Sequence, residues 1–401
     1  MRKLALLTLF MLLLPLAGIA APEVLQYQQQ QILFNNKKIS LRLPVGYQLE
    51  LLTDVPDAPR LITFADNGDM FLGSRSGKVY RLQAPYRKAE VLVELDDYPH
   101  NVAFRDNEIL IAQTSGLYHA PYAPGQKTIN PEDVKRLVAI PGGFGHNSRT
   151  VHIGPDKRVY VSLGISGNCS NEYLGSEYPF AKRRGGVFVL DESAEKPVLK
   201  AFASGLRNPV GFDWHPQTGV MYASNNGPDH QGFELPPESF AKLEPGSFHG
   251  MPWFQFDGKS IQRDSCIRKT PPRPVEQVSK PAATFPARNA PMGVTFIKQG
   301  EFIAGLENDA VVALKGSWGT KPSGGAFGDA ASRRHPKLAL VRFEKGEAVR
   351  VDDLLTGFQL EDGSRWARPV GTAFGADGNL YFTSDSGVSG LYILRKVETS
   401  R

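Results

Sequence analysis

Five side chains at four widely separated places have the types needed for proton and anion chemistry. His146 stands in GGFGHNSR, Arg207 and Asn208 in SGLRNPVGF, Lys315 in VALKGSW, and Arg368 in RWARPVG just after Arg365. An imidazole accepts a proton near neutral pH. Arginine and lysine pair with carboxylates or phosphates through charge-assisted bonds. In YASNNGPD, Gly227 and Pro228 form a turn whose backbone carbonyls suit a hard cation such as calcium. Brought together, these groups would pin a small polyanion between cations and a metal, beside a base.

Each of these groups sits at a turn of a repeated strand unit. A Gly/Asp turn, a short strand with an aromatic, then Ser or Thr and Gly recurs as ADNGDMFLGSRSG, RDNEILIAQTSG, GPDKRVYVSLG, HPQTGVMYASNNG and GADGNLYFTSDSG. Strands such as RLITF, NVAFR, RTVHI, VGFDW and PVGTAF precede it, and GKVYRL, GLYHAP, GGVFVL and GLYIL follow it. A degenerate copy runs MGVTFI, DAVVALKG, LALVRF. About six such triplets at irregular spacing predict an all-β fold, a six-bladed β-propeller with variable loops. A sandwich has no reason to repeat one unit so often. Abundant Gly (40) and Pro (30), with no helical periodicity, agree with short strands joined by turns. Tyr47–Thr53 is predicted to complete the last blade and close the ring, which removes exposed edges.

The turn entering each innermost strand lies near the axis on one face, so His146, Arg207, Asn208, Arg365 and Arg368 are predicted to converge there, with Lys315 at a strand end. The long insertions at Ser166–Arg184, His230–Pro291 and Ser317–Lys337 are predicted to be the long loops of that face, where binding and catalysis concentrate.

Arg2-Lys3, the apolar run Leu4–Ala17 and the small residues Gly18 and Ala20 read as a secretory signal at 1–20, cleaved after Ala20. The run is too short for a membrane span and contains Pro15. The expectation is therefore a periplasmic or secreted protein, with 21–401 a single propeller domain and no membrane span after signal removal. Cys169 and Cys266, each in a polar loop, are read as a disulfide, which export permits. A net charge of only +5, without a basic run, argues against nucleic acid as a partner.

GHNSRTVHIGPDKRVYVSLG, SGLRNPVGF, YASNNGPD, VALKGSW and RPVGTAFGADGNLYFTSD resemble the soluble quinoprotein glucose/sorbosone dehydrogenases, most closely the sorbosone-dehydrogenase-like branch. The resemblance covers nearly all of the chain after the signal. It implies a six-bladed propeller that holds pyrroloquinoline quinone (PQQ) and calcium over the pore and oxidises a sugar or alcohol, passing the electrons to an acceptor. On that resemblance His146 is the general base, taking the proton of the substrate hydroxyl while hydride passes to the quinone. Arg207 and Asn208 lie against the quinone, with Arg207 favouring the charge that develops on it. Lys315 and Arg368 bind its carboxylates, and Gly227 and Pro228 offer carbonyls to the calcium.

Two positions depart from the pattern. Val210 stands where glucose-oxidising members have glutamine, and Val370 replaces one of two paired arginines, with Arg365 the nearest substitute. Their loss keeps open a propeller that merely binds carbohydrate or protein. A calcium-dependent propeller lactonase is disfavoured, since such sites are lined by acids and amides and these turns are mainly basic. His152, His215, His249 and His335 lack ligand spacing and read as structural or exposed. Trp214, Trp253, Trp318 and Trp366 read as packing between blades.

Overall fold

The computed structural model describes residues 25–397 apart from 56 and 194. The signal at 1–20 lies outside the described residues. Six antiparallel four-strand blades follow one another in a ring. Blade 1 comprises Pro59–Phe64, Met70–Ser74, Lys78–Leu82 and Glu90–Glu94. Blade 2 comprises Asn101–Arg105, Glu108–Gln113, Gly116–Pro121 and Lys135–Ala139. Blade 3 comprises Arg149–Ile153, Val159–Leu163, Gly186–Asp191 and Val198–Ser204.

Blade 4 comprises Pro209–Trp214, Met221–Asn225, Glu238–Leu243 and Ala283–Phe285. Blade 5 comprises Pro291–Phe296, Ala310–Leu314, Lys337–Glu344 and Glu347–Leu355. Blade 6 takes Ala367–Phe374, Leu380–Gly387 and Gly390–Lys396 from the end of the chain and Tyr47–Asp54 from its beginning. Tyr47–Asp54 pairs antiparallel with Gly390–Lys396, closing the ring as the sequence predicts.

The first strand of each blade lines the axis, and a shared local sequence explains how closely these strands approach. Blades 4, 5 and 6 open with Pro209-Val210-Gly211, Pro291-Met292-Gly293 and Pro369-Val370-Gly371, and each has a bulge just after the proline. A Cβ on Gly211 would lie 2.4 Å from the Met292 carbonyl oxygen, and one on Gly293 2.7 Å from that of Val370. A Cβ on Gly371 would lie 2.5 Å from the Arg60 carbonyl oxygen of blade 1. Any side chain there would push neighbouring backbones apart, so glycine is required by close approach.

This packing also accounts for both departures. Val210 and Val370 are buried with Leu61 and Met292 in one apolar cluster, so aliphatic residues at these places fill core rather than a pore. Between blades 4 and 5, Tyr222, Phe240, Phe296 and Phe343 interlock edge-to-face and stacked, which holds adjacent blades in register.

Because strands alternate in direction, the segments 140–148, 164–185, 226–237 and 315–336 emerge on one face, called here the loop face. Two blade-4 strands fall inside His230–Pro291, so the true insertion is 244–282. It runs back beside blade 3, where Ser247–Phe248 pairs in parallel with Ala203–Ser204. There Cys266 forms the expected disulfide with Cys169. No helix among the described residues is long and apolar enough to cross a membrane.

Candidate active site

His146, Arg207 and Asn208 meet over one glycine on the loop face. A Cβ on Gly164 would lie 2.5 Å from His146 Cβ, 2.8 Å from Asn208 Oδ1 and 2.9 Å from the Arg207 carbonyl oxygen. The His146 backbone is fixed by two guanidinium groups that sequence reasoning missed. Arg149 Nη1 and Arg184 Nη2 donate to its carbonyl at 2.9 and 3.2 Å. Its Nδ1 lies 2.5 Å from the Ile165 carbonyl, which makes Nδ1 the protonated nitrogen and leaves Nε2 with its lone pair.

Burial, with Arg207 next in effect, lowers the His146 pKa to about 4. The ordinary imidazole value assumed from sequence is thus corrected: this ring is neutral throughout the physiological range, a proton acceptor and not a cation. Asn208 Oδ1 is buried with no hydrogen-bond partner. Such an atom costs free energy unless a ligand donor or water meets it.

On the opposite side of the ring, blades 5, 6 and 1 supply a second basic cluster. Lys315 Nζ and Arg60 Nη1 each lie 2.5 Å from Asp385 Oδ2. Arg368 donates from Nε and Nη2 to the carbonyls of Lys315 and Gly316, both at 3.0 Å, and so fixes the turn that carries the lysine. One carboxylate thus pairs two cations, with the charge of Arg368 near by. Burial, then repulsion from Arg60, lowers the Lys315 pKa to about 7 despite its bond to Asp385. Arg60 Nε and His100 Nε2 are buried without partners beside this cluster. An excess of buried cations with an orphaned Arg60 N–H is the arrangement that an anionic ligand would complete, whereas His100, whose Nδ1–H faces the Arg149 carbonyl, leaves Nε2 as an acceptor.

Arg60 and Asp385 are the principal site residues absent from the sequence reading. Arg60 follows the opening proline of its blade as Val370 does of blade 6, so a guanidinium missing from one blade is present in the next. Arg365 does not fill that role, because its guanidinium is bonded to Gln359 Oε1 at 2.8 Å and the Arg334 carbonyl at 3.1 Å.

Gly227 and Pro228 lie on the loop face, but they do not form an open pair of carbonyls. Arg288 donates from Nη1 to the Pro228 carbonyl and from Nη2 to those of Gly232 and Leu235. The same guanidinium reaches Asp229 Oδ1 at 3.4 Å. The Gly227 N–H is held by Glu238, whose pKa burial raises to about 7. A buried cation already on the Pro228 oxygen repels a second one, so this arrangement does not fit calcium at the expected carbonyls.

Other readings sort by burial. Trp253 and Trp366 are core, but Trp318 is 53 % exposed on the loop face, not packing between blades. It lies in the segment 315–336, which leaves blade 5 on the loop face, and not on one of the strands that meet at the seams. His152 packs edge-on against Phe212 and Trp214, a structural role.

A six-bladed propeller with a neutral histidine and a surplus of buried cations at its mouth is the class defined by fold and site. The resemblance read from the motifs is borne out: the glucose/sorbosone dehydrogenase family model matches residues 132–318. A TrAA12-like model matches residues 273–397. An uncharacterised protein of Borreliella burgdorferi is 25% identical over 358 residues, covering 87% of this chain and 89% of that protein.

A PQQ-dependent pyranose dehydrogenase of Coprinopsis cinerea is 22% identical over 388 residues, 82% of this chain. The match covers 51% of that enzyme, so this chain spans about half its length. The holo form of a pyranose dehydrogenase PQQ domain from the same organism superposes with a TM-score of 0.69 at 19% identity, covering 89% of this chain and 97% of that one. A calcium structure of a Trichoderma reesei carbohydrate-active enzyme of family AA12 gives 0.73 at 17% identity, covering 94% and 99%.

Proposed function

We propose that this protein is an exported quinoprotein oxidoreductase that oxidises a sugar or alcohol with PQQ as its bound cofactor. The observation that carries the reading is the pairing of His146, neutral and with Nε2 free, with buried basic groups on both sides of the loop face. The donor set suits a planar tricarboxylate: Lys315 and Arg60 provide charge, Arg368 fixes the Lys315 turn, and Asn208 Oδ1 awaits a partner. PQQ, when bound, supplies the hydride-accepting centre; the protein supplies placement and electrostatics. His146 Nε2 takes the proton of the substrate hydroxyl. The Arg207 guanidinium, close enough for its charge to depress the His146 pKa, would favour negative charge developing near that ring. Calcium at Gly227 and Pro228 does not fit while Arg288 holds the Pro228 oxygen, and no step here uses it.

Titration of the purified protein with PQQ tests the reading. Uptake of one PQQ per chain and dye reduction with at least one member of a panel of aldoses, pyranoses and alcohols are expected. Absence of stoichiometric uptake would leave the site as a carbohydrate- or protein-binding surface. In the same titration, EDTA is expected to leave uptake unchanged. Uptake lost to EDTA and restored by calcium would show that the metal is required and overturn the misfit argued from Arg288.

A further inference from the structure

Arg207 is 6% exposed, and its guanidinium is held mainly by a residue from a segment without regular secondary structure. Asn168 Oδ1 accepts from Arg207 Nε at 3.1 Å and from Nη2 at 2.6 Å. Asp229 Oδ2 takes Nη2 at 3.0 Å, and the Asn226 carbonyl takes Nη1 at 3.4 Å. The same Asn168 oxygen accepts the Asp229 N–H at 3.2 Å, so one amide sets both the cation and its counter-ion. Planar donors held from two sides have one orientation; freed, an arginine side chain regains its rotamers.

Asn168 itself needs an anchor, and the adjacent disulfide provides it. Cys169 is bridged to Cys266, 97 residues away in blade 4's insertion. The Cys266 N–H is held by Asp264 Oδ1 at 2.7 Å. Asp264 is buried and also accepts from His230 Nε2 at 2.9 Å and Gln231 Nε2 at 3.1 Å. Its own N–H donates to the carbonyl of Trp253, which lies fully buried in an aromatic cluster with Tyr173 and Phe248. The bridge thus joins the segment bearing Asn168 to a packed anchor.

We propose that Asn168 is the positioning residue for Arg207 and that the Cys169–Cys266 disulfide holds Asn168 in place, so that Arg207 is fixed only once the bridge has formed. The consequence for cofactor binding rests on the proposed function; the clamp itself does not. The test therefore has two readouts on the full chain, the hydrogen-exchange protection of the Arg207 Nε–H by NMR and the affinity for PQQ.

Protection is expected in the wild type, lost in Asn168→Ala and in Cys169→Ser/Cys266→Ser, and kept in Asn168→Asp, which retains an oxygen acceptor. PQQ affinity is expected to fall about tenfold in the first two variants. In an Arg207→Met background Asn168→Ala should add nothing further, a coupling that general destabilisation would not produce. Equal protection in all variants, or an undiminished effect of Asn168→Ala without Arg207, would overturn the clamp. A wild type that protects Arg207 but takes up no PQQ would support the clamp and overturn the proposed function instead.

Discussion

His146→Ala is expected to lower turnover about 10²–10⁴-fold, the range that a positioned general base contributes, while PQQ uptake stays near the wild-type level. The separation follows from geometry. The ring is fixed through Nδ1 to the Ile165 carbonyl, and the charged groups that would hold an anion belong to other residues. Removing the imidazole therefore deletes the free Nε2 and the Nδ1 bond to Ile165, and none of the groups that would hold an anion. Steady-state dye reduction gives the turnover, and titration followed by PQQ absorbance gives the uptake. His146→Gln fills the space without a basic nitrogen and should be as slow as the alanine variant. Turnover unchanged in either would remove His146 from proton transfer.

The second large effect is expected at Lys315. Lys315→Met should weaken PQQ binding about 10–100-fold, the worth of one charge-assisted bond. It should also change the pH dependence. Burial, with Arg60 next, places the free lysine near pKa 7, so above that pH it is largely neutral in the apo-protein. A carboxylate arriving beside it favours the ammonium form, so binding above pH 7 must take up a proton. Affinity should accordingly fall as pH rises above 7, and calorimetry in buffers of different ionisation enthalpy should register the proton. Below pH 7 the lysine is already charged and neither effect is expected. Lys315→Met, which keeps the length without the charge, should flatten the profile. A wild-type affinity that is level from pH 6 to 9 would contradict the assignment.

Much of the scaffold was legible because it is local. The strand triplets are patterns within a few residues, repeated, and their count left one strand to be supplied by Tyr47–Thr53. The convergence of His146, Arg207 and Asn208 followed once equivalent turns were assigned to one face. What escaped depends on contacts that no short window contains. Arg60 and Asp385 are 325 positions apart and meet only because the ring closes. Asn168 reaches Arg207 only through a disulfide-bound loop. The Gly227-Pro228 turn was found, but not Arg288, which comes from the segment entering blade 5 and takes the Pro228 carbonyl. The histidine was found with the wrong basicity, since burial beside arginines is a property of packing and not of residue type. Val210 and Val370, read as lost ligands, are buried in the apolar cluster that joins the inner strands.

The closure of blade 6 by Tyr47–Asp54 against Gly390–Lys396 also sets an order of events during folding. A chain still being made has its early strand exposed and unpaired until Gly390–Lys396 is available. Arg60 is among the first site residues to be made and Asp385 among the last, so the basic cluster cannot form on a nascent fragment. A polypeptide that stops short of Gly390–Lys396 would lack both the complete basic cluster and the seam that makes the ring one cooperative unit, so any anion held by Arg60 and Lys315 must be captured after that strand is made.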